Sequence, residues 1–499
     1  MVTPSKKKFL HLIQCGKIPP LCSEFPFAPP HIIYQSLISA NSIILESVKG
    51  PEKIARYSFI GFDPCLIFKT KDGVVEIESS DKKTVLSRRP LSILKDLVGE
   101  YNQAPCDYLP PFQGGIAGLL SYDFVQYFEK LPVNTIDDLQ LPDAHFLMID
   151  RMIAFDHRDK RSWIIVCPGV RFSILHEMSH GLPDWSVLYD ESEDAIADIR
   201  KIISRNTFHS GNNLSALPYL KSGEKIEVIH EMPKQDYVDI VRKAKEYIAA
   251  GDIFQANLSQ RVSADIMRKS PWNLYRILRS INPSPFAAYI DCGDYQIVSS
   301  SPERLIRIRD RIIETRPIAG TRPRGRDKKE DALMRSELLL NEKERAEHIM
   351  LIDLERNDLG RVSAYGTVSV DELMITEDYS HVIHIVSNIT GTLAHEKDCF
   401  DAIRALFPGG TITGVPKVRC MEIIDELEPL RRGPYTGAIG YVGFSGTMDF
   451  NIIIRTFVIK NETAYVQAGA GIVADSEPER EYLETLKKAE ALIKALEMI

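Results

Sequence analysis

The acidic segment at 341–361 carries side chains whose types and spacing could bind a cation, in the sequence NEKERAEHIMLIDLERNDLGR. Glu344 and Glu347 are three residues apart and His348 follows Glu344 by four, so a helix would place all three on one face. Two carboxylates on one face repel each other unless a cation lies beside them. For this segment alone a solvated charged face is the simpler interpretation, and a metal site is its competitor.

A second acidic helix is predicted near the end of the chain, over 475–488. Ser476 and Glu479 have the S-x-x-E spacing of a capping box, which marks the start of a helix. Glu481 and Glu484 then repeat the three-residue spacing of the first acid pair. This repetition favours the metal interpretation over two unrelated charged faces.

The residues just before this second helix indicate which ligand a cation would accompany. Gly469, Ala470 and Gly471 would bring backbone N–H groups toward the helix start, whose partial positive charge suits an anion. Lys488 lies one turn beyond the second acid pair. Because Mg²⁺ takes few protein carboxylates and keeps water and substrate oxygens as its other ligands, the combination predicts a carboxylate ligand bridged to the protein by Mg²⁺.

Composition and charge argue against several classes of protein. Hydrophobic residues make up 44% and charged residues 26% of the 499 residues, as in ordinary globular proteins. A net charge of −8, without a basic run, argues against a nucleic-acid partner. No run of about 18 apolar residues occurs, so no membrane span is expected. The eight cysteines form no CxxC pair, which disfavours disulfides and zinc and predicts a cytoplasmic location.

The pattern of elements predicts two regions joined by a linker. Residues 1–205 mix short strands with some helices, and 206–228 form a linker rich in Asn, Ser, Gly and Lys. Residues 229–499 combine strands at hairpin spacing with long helices, such as the amphipathic segment 233–250 that ends before Gly251. This is an α+β pattern, and no nucleotide-binding glycine loop accompanies it.

Polar residues of the second region supply further candidates, each with a structural alternative. Glu303 follows a predicted strand in SSSPER, where it is either a surface turn residue or part of a site. Gly320 and Thr321 lie at the centre of RPIAGTRPRGR, a basic loop that is either exposed or in contact with an anion. His384 lies on an alternating segment and is either a satisfied core residue or an acid or base.

Two later segments complete the polar candidates. Thr411 lies in FPGGTITGVPKV, where its hydroxyl either caps a helix or reaches a ligand. Arg455 lies within the apolar strand NIIIRTF, where a charge must find an anion or carry a large desolvation cost. Arg455 is therefore the strongest single indication of a bound carboxylate.

These motifs together resemble the chorismate-utilising enzymes, the large subunits of anthranilate synthase and aminodeoxychorismate synthase. The resemblance covers about residues 230–499 and is carried by SSSPER, RPIAGTRPRG, EKERAEHIMLIDLERNDLGRV, YSHVIHIVS, FPGGTITGVPK, GAIGY and QAGAGIVADSEPEREYLET. The first region matches more loosely, through ILES, RYSFIG and FQGG. Those segments resemble the part of the family's large subunits that holds an aromatic amino acid.

The resemblance implies a fold and a metal-dependent chemistry. The implied fold is two stacked antiparallel β-sheets with helices on the outside, a four-layer sandwich. The implied chemistry acts on chorismate with Mg²⁺, for which Glu347 and Glu484 match the metal ligands and Glu344 and Glu481 lie close by.

The resemblance also assigns roles to the remaining candidates. Glu303 resembles the group that assists loss of the ring hydroxyl, and His384 and Thr411 match further active-site positions. The implied substrate contacts are Gly320, Thr321, Tyr435, Arg455, Gly469, Ala470, Gly471 and Lys488. The implied lining of a tryptophan pocket, for an inhibitor or a structural ligand, is Ser47, Pro285 and Phe286, with plain strand packing as the alternative.

The product within this family is predicted from three loops. FQANLSQR, FPGGTITGVPK and RRGPYTG resemble aminodeoxychorismate synthase, which makes 4-amino-4-deoxychorismate for folate biosynthesis. Ala319 departs from the lysine of many such enzymes, so anthranilate synthase is the alternative. Gln255 replaces the lysine base of relatives that add water, as suits ammonia. None of the eight cysteines lies in a GxCxG motif, so a separate glutamine amidotransferase subunit is expected to supply ammonia.

Overall fold

The computed structural model describes residues 1–79, 82–175, 183–209, 226–379 and 382–499. Helices account for much of this part of the chain. The helices within these residues are α1 Lys6–Gln14, α2 Pro30–Gln35, α3 Pro90–Gly99, α4 Val170–Leu175, α5 Trp185–His209, α6 Lys234–Ala250, α7 Pro271–Ile281, α8 Lys328–Leu340, α9 Glu342–Gly360, α10 Cys399–Leu406, α11 Lys417–Leu427 and α12 Pro478–Glu497. Short 3₁₀ helices cover Tyr122–Tyr127 and Gly410–Ile412. Over the described ranges, every helix is too short or too polar to cross a membrane.

The strands form two large antiparallel sheets. Their bounds are β1 Leu21–Pro26, β2 Ser42–Glu46, β3 Tyr57–Gly61, β4 Leu66–Lys71, β5 Val74–Ser79, β6 Lys82–Leu86, β7 Gly115–Leu120, β8 Ala144–Ile149, β9 Arg151–Asp156, β10 Arg161–Val166, β11 Ile229–His230, β12 Gln255–Asp265, β13 Phe286–Asp291, β14 Tyr295–Ser301, β15 Arg304–Arg309, β16 Ile312–Arg316, β17 Ile318–Pro323, β18 Ser369–Asp378, β19 Val382–Thr392, β20 Gly414–Val415, β21 Ala438–Gly443, β22 Met448–Ile452, β23 Thr456–Lys460 and β24 Thr463–Ile472. Sheet 1 has the order β1-β10-β9-β3-β2-β13-β14-β23-β24-β12-β11, with β20 on β12. Sheet 2 has the order β17-β19-β16-β15-β22-β21-β7-β8-β4-β5-β6, with β18 on β19.

Three apolar cores separate four layers. The core between the sheets joins Phe59 of sheet 1 to Leu147 and Tyr441 of sheet 2. A second core packs α1, α2, α5, α7 and α12 onto the other face of sheet 1. A third packs α3, α9, α10 and α11 onto the other face of sheet 2. The predicted α+β class, with two stacked antiparallel sheets and helices outside, is confirmed.

Both predicted regions contribute strands to both sheets. In sheet 1 the regions meet where β2 pairs with β13, and in sheet 2 where β7 pairs with β21. The division into 1–205 and 229–499 stays a prediction about sequence organisation, because neither sheet is divided there. The predicted linker 206–228 begins too early, since α5 continues to His209. Its central part, 210–225, lies outside the described residues.

A close backbone approach holds the loop at 409–414 against β12. The Asn257 N–H donates to the Thr413 carbonyl oxygen at 2.9 Å, and β20 pairs with the start of β12. Gly414 has φ +134°, and a Cβ there would overlap the carbonyl oxygen of Gln255. Only glycine therefore fits at this point, which fixes the loop relative to sheet 1.

We expect Gly414→Ala to destabilise the fold more than an alanine at another left-handed glycine. The strained φ and the overlap with backbone should together cost at least ~3 kcal/mol of unfolding free energy. Gly446→Ala is the matched control, because its φ is +81° but nothing lies within 4 Å of the added Cβ. That control should lose only about 1–2 kcal/mol. Urea unfolding of the full chain measures both, and equal losses would contradict the steric argument.

Candidate active site

The first acidic helix, α9, presents one face to the core and another to the candidate site. It begins after Asn341, whose side chain accepts the Glu344 N–H at 3.0 Å. His348 turns inward, where Ser387 Oγ lies 2.7 Å from its Nε2, and is fully buried. Glu344 lies beside Gly320 and accepts from Arg322 Nη1 at 2.7 Å, while its other oxygen has no partner within the described chain. The prediction that Glu344, Glu347 and His348 share one face is therefore wrong for His348, which lies in the core while the carboxylates lie at the site.

The second acidic helix, α12, starts differently from the prediction. Its N-cap is Glu477, and no side chain caps the helix. Ser476 Oγ instead accepts the Val473 N–H at 3.1 Å, closing the turn that follows β24. Glu479 forms an ion pair with Lys234 of α6. The predicted capping box is therefore wrong, because the helix begins one residue later than predicted and neither Ser476 nor Glu479 caps it.

The two helices bring four carboxylates together. Burial raises the pKa of Glu347, and Glu344, Glu481 and Glu484 raise it further against the opposing charge of Lys343. Burial likewise raises the pKa of Glu481, with Glu484 adding to the effect. Carboxylates that raise each other's pKa repel, and a divalent cation would relieve that repulsion. Within the described ranges, no group of three or more His, Cys, Asp or Glu side chains is placed to hold a metal by itself.

Lys488 connects the second acid pair to β24. Its Nζ lies 2.8 Å from Glu484 Oε1 and donates to the Gly469 carbonyl oxygen at 2.9 Å. Pairing of β24 with β23 ends at Val466, so this edge of β24 has no strand partner beyond that point in the described chain. The Gly469 and Gly471 N–H groups lie along this edge, as an anion site requires. Ala470 differs, because its side chain is buried in the core between α6, α11 and α12.

His384 is held in its neutral form on β19. Its Nδ1 lies 3.0 Å from Thr321 Oγ1 and 3.1 Å from the Gly320 carbonyl oxygen, so the proton is on Nδ1 and Nε2 is left as an acceptor. Burial lowers the pKa of His384 to about 4, and the charge of Arg455 lowers it as well. The structure thus brings three predicted site residues together across β17 and β19, namely Gly320, Thr321 and His384.

Glu303 is the buried acid of the site. It lies between β14 and β15, and burial raises its pKa to about 7. The Thr411 hydroxyl and the Ile318 N–H oppose this rise, whereas the nearby Glu355 adds to it. Although the Thr411 hydroxyl is near enough to the Glu303 carboxyl to affect its pKa, neither Glu303 Oε1 nor Thr411 Oγ1 makes a hydrogen bond of normal geometry among the described residues. Such orphaned polar atoms suit a ligand that supplies the missing partner.

Arg455 lies between β22 and β23 and carries a half-buried charge. Burial lowers the pKa of its guanidinium, and no carboxylate of the described chain pairs with it. Tyr435 is buried, and its hydroxyl lies against Gly469 together with Asn257 Oδ1. Because arginine stays charged in proteins, this site calls for an anionic ligand.

The three predicted pocket residues line one cavity of about 510 Å³ between the sheets. Ser47 Oγ donates to the Pro285 carbonyl oxygen at 3.2 Å, and Phe286 forms part of the wall. Phe59 and Tyr441 add aromatic surface. This volume lies in the range of ordinary small-molecule pockets.

Comparison with known proteins places the chain in a family. The chorismate binding enzymes match it over residues 41–494. The chain belongs to that family. Anthranilate synthase component 1 of Acetivibrio thermocellus is 46% identical over 460 residues, 92% of this chain and 90% of that protein. Aminodeoxychorismate synthase component 1 of Bacillus subtilis (strain 168) is 42% identical over 488 residues, 96% of this chain and 97% of that protein.

A solved structure of this family has the same fold. Anthranilate synthase component I of Streptococcus pneumoniae has a TM-score of 0.75 at 34% identity, covering 88% of this chain and 92% of that chain. The resemblance predicted from the motifs is confirmed. This chorismate-binding chain is of the anthranilate or aminodeoxychorismate synthase component I type, and both names occur among its relatives.

Sequence reasoning missed two groups that support the site of this family member. Glu428 and Arg432 form a fully buried ion pair behind the substrate-facing loops. Their i,i+4 spacing, with Glu428 before RRGPYTG and Arg432 inside it, was the available signal. Glu355 of α9 is also buried, and burial raises its pKa to about 7. Only the packing of α9 against the 409–414 loop brings it near Glu303.

We expect Glu303→Gln to stabilise the protein in a pH-dependent way. In the folded protein the Glu303 carboxyl has a pKa of about 7, whereas in the unfolded chain it has the ordinary value of 4.5. As pH rises from 4.5 to about 7, the unfolded state therefore loses this proton first, and the stability of the wild-type protein falls. Glutamine removes that loss. The variant should gain less than about 1 kcal/mol at pH 5 and about 3 kcal/mol at pH 8.

Chemical unfolding at the two pH values measures this difference. Glu490→Gln on α12 is the matched control, because Glu490 is exposed and pairs only with Lys487 at the surface. Its effect should be small and equal at both pH values. A pH-independent effect of Glu303→Gln would show that the carboxyl is ionised in the folded protein at neutral pH.

Proposed function

We propose that this chain is an aminodeoxychorismate synthase component I. It aminates chorismate to 4-amino-4-deoxychorismate, using ammonia from a separate glutamine amidotransferase subunit. The observation that carries the proposal is the pair Gln255 and Asn257, whose side-chain oxygens are buried without hydrogen-bond partners among the described residues. Asn257 Oδ1 lies beside Gly469, and the Gln255 amide nitrogen lies beside Gly471. Amide oxygens accept hydrogen bonds from ammonia but cannot deprotonate water at neutral pH. The pair therefore supports an aminating site over a hydrating one, and the resemblance of FQANLSQR, FPGGTITGVPK and RRGPYTG favours aminodeoxychorismate synthase among the aminating enzymes.

Substrate binding follows from the unpaired charge and the open strand edge. Arg455 offers its guanidinium to one of the two chorismate carboxylates, and Tyr435 borders the same space. The N–H groups of Gly469 and Gly471 offer a second set of donors along β24. Two anion sites on one wall would orient the ring between them.

Removal of the ring hydroxyl is assigned to Glu303. With a pKa of about 7, its carboxyl group still holds a proton at neutral pH and can donate it to the departing oxygen. The C–O bond then breaks with release of water, and ammonia supplies the electron pair of the new C–N bond. The proton that the bound nitrogen releases restores Glu303. His384, neutral and held through Nδ1, presents Nε2 as an acceptor nearby.

Magnesium fits the four carboxylates of α9 and α12. Glu347 and Glu484 would hold the ion, with Glu344 and Glu481 close by, because their mutual repulsion requires a cation. When bound, Mg²⁺ supplies positive charge for a substrate carboxylate. Lys488 partly neutralises Glu484, which leaves the net charge of the cluster negative.

An amidotransferase partner is proposed because no thiol here is built for glutamine hydrolysis. The buried cysteines, such as Cys167 and Cys420, have pKa values raised by burial, whereas a nucleophilic thiol needs a lowered one. The name "component 1" carried by the relatives also implies a further component.

Anthranilate synthase is the second candidate, and Ala319 favours it. The Ala319 methyl group on β17 cannot act as a nucleophile, unlike the lysine of many aminodeoxychorismate synthases. The relatives also carry the name anthranilate synthase more often. The two enzymes differ in the ring carbon that receives nitrogen and in whether pyruvate is then eliminated.

Product analysis separates the two candidates. We expect chorismate, Mg²⁺ and ammonium chloride to yield a non-fluorescent aminated product that retains the enolpyruvyl group, identified by mass spectrometry. Glutamine in place of ammonium should give no turnover with this chain alone. Anthranilate fluorescence appearing as fast as chorismate is consumed, without added lyase, would assign the chain to anthranilate synthase instead.

The metal assignment makes a separate prediction. Glu347→Gln and Glu484→Gln should each lower Mg²⁺-dependent turnover at least ~100-fold, because metal charge stabilisation is worth several kcal/mol. Added Mg²⁺ should raise the unfolding temperature of wild type but not of these variants. Glu479→Gln is the control on the same helix, since Glu479 pairs with Lys234 outside the cluster. Full turnover in EDTA would exclude the metal site.

We also propose that the cavity at Ser47, Pro285 and Phe286 binds tryptophan. Its volume of about 510 Å³ and its aromatic wall suit an indole side chain. Calorimetry with tryptophan should give a saturable heat of binding. Phe286→Ala should raise the Kd for tryptophan about tenfold, which corresponds to about 1.4 kcal/mol of binding free energy. Phenylalanine and glycine are the control ligands. No heat and no thermal stabilisation would leave these strands as plain packing.

A further inference from the structure

We infer that Arg432, held by Glu428, is a positioning residue for the segments that surround the chorismate ring. The inference rests on the proposed function, because it takes chorismate as the ligand of this site. Arg432 does not touch the space assigned to substrate. It acts through the backbone of β12 and of the 3₁₀ turn Gly410–Ile412, and through Tyr435.

The Glu428–Arg432 ion pair is enclosed and bidentate. Arg432 Nε donates to Glu428 Oε2 at 2.9 Å and Nη2 donates to Oε1 at 2.7 Å, with both side chains only 2% exposed. Glu428 also accepts the Ser259 N–H and the Ser259 hydroxyl, each at 2.8 Å. The carboxylate thus anchors the arginine to the middle of β12.

The remaining donors of Arg432 hold separate site segments. Nη2 donates to the Asn257 carbonyl oxygen at 2.6 Å. Nη1 donates to the Ile412 carbonyl oxygen at 3.1 Å and to Thr436 Oγ1 at 3.3 Å. All five N–H groups of the guanidinium are therefore used, and each has a different acceptor atom.

Aromatic contacts extend this arrangement to Tyr435. The guanidinium carbon of Arg432 lies 5.6 Å from the ring centroid of Tyr435 and 4.9 Å from that of Tyr122. Arginine over an aromatic face gains cation–π attraction, which favours one ring orientation. Tyr435 is thereby held with its hydroxyl against Gly469.

The segments that Arg432 fixes end in polar atoms that lack protein partners. Asn257 Oδ1 and Thr411 Oγ1 are both buried and unpaired within the described chain. Their backbones are fixed by Arg432, directly at Asn257 and through the neighbouring Ile412 for Thr411. An arrangement that fixes the backbone and leaves the side-chain atoms free is what a preorganised site needs.

A structural role alone is the competing explanation, and it predicts different behaviour. Buried ion pairs often add little to the free energy of unfolding compared with apolar replacements. Stability alone therefore explains poorly why Glu428 and Arg432 form a buried pair here. Lysine keeps the charge but has three donors and no planar fork, and so cannot make these contacts together. Arg432→Lys should therefore misplace the segments in a chain that remains folded.

The test combines kinetics with hydrogen exchange. Arg432→Lys and Glu428→Gln should lower kcat for chorismate consumption about 100-fold, since small misplacements of reacting groups cost that much, with a smaller change in KM. In both variants, amides of 254–259 and 409–414 should exchange faster without ligand, while those of β1 and β10 should not change. Arg431→Lys is the matched control, because Arg431 pairs with Asp72 and Asp137 away from the site. Guanidinium chloride should restore part of the activity of Arg432→Ala.

Each outcome supports or overturns the inference. Wild-type kcat and KM in folded Arg432→Lys, or unchanged exchange at 254–259 and 409–414, would overturn it. Unfolding of both Arg432→Lys and Glu428→Gln at 25 °C would assign the pair a structural role and also overturn it. The exchange measurement needs no turnover, and the wild-type product alone tests the proposed function, so the two failures are distinguishable.

Discussion

Burial of charge where the two sheets meet is the constraint that the surrounding structure has to satisfy. Glu303 and His384 are buried and Arg455 is half-buried, and an ionised group enclosed there without a partner costs free energy. Burial raises the pKa of Glu303 and lowers that of His384, so both side chains favour their neutral forms. Arg455 cannot lose its charge, so its stabilisation depends on a ligand anion.

The site lies where the two sheets meet, and elements of both sheets surround its charged groups. Sheet 1 contributes β12 and β24, and sheet 2 contributes β17 and β19 with the helix α9. The first region of the chain completes each sheet, through β2 on β13 and β7 on β21. The apolar cores on either side of the sheets supply the burial that offsets the polar interior.

Arg432 shows how one buried cation can order elements that are distant in sequence. β12, the turn at 410–412 and Tyr435 meet at its guanidinium, and Glu428 balances its charge. This arrangement differs from that of Arg455, whose guanidinium pairs with no carboxylate in the described part of the chain. The contrast separates an arginine that organises the protein from one that is left for a ligand.

The sequence by itself determined the secondary structure of the site and the family. The sequence predicted α6 from its hydrophobic periodicity and from Gly251 at its end, and it predicted α9 and α12 from the spacing of their acidic residues. Each of these signals lies within a single segment of the chain. Tertiary structure alone decided that Glu479 pairs with Lys234, that His348 faces the core, and that Arg432 lies behind the site. Those outcomes depend on contacts between segments remote in sequence, and on burial, which sets the charge of Glu303 and His384 and has no signature in local spacing.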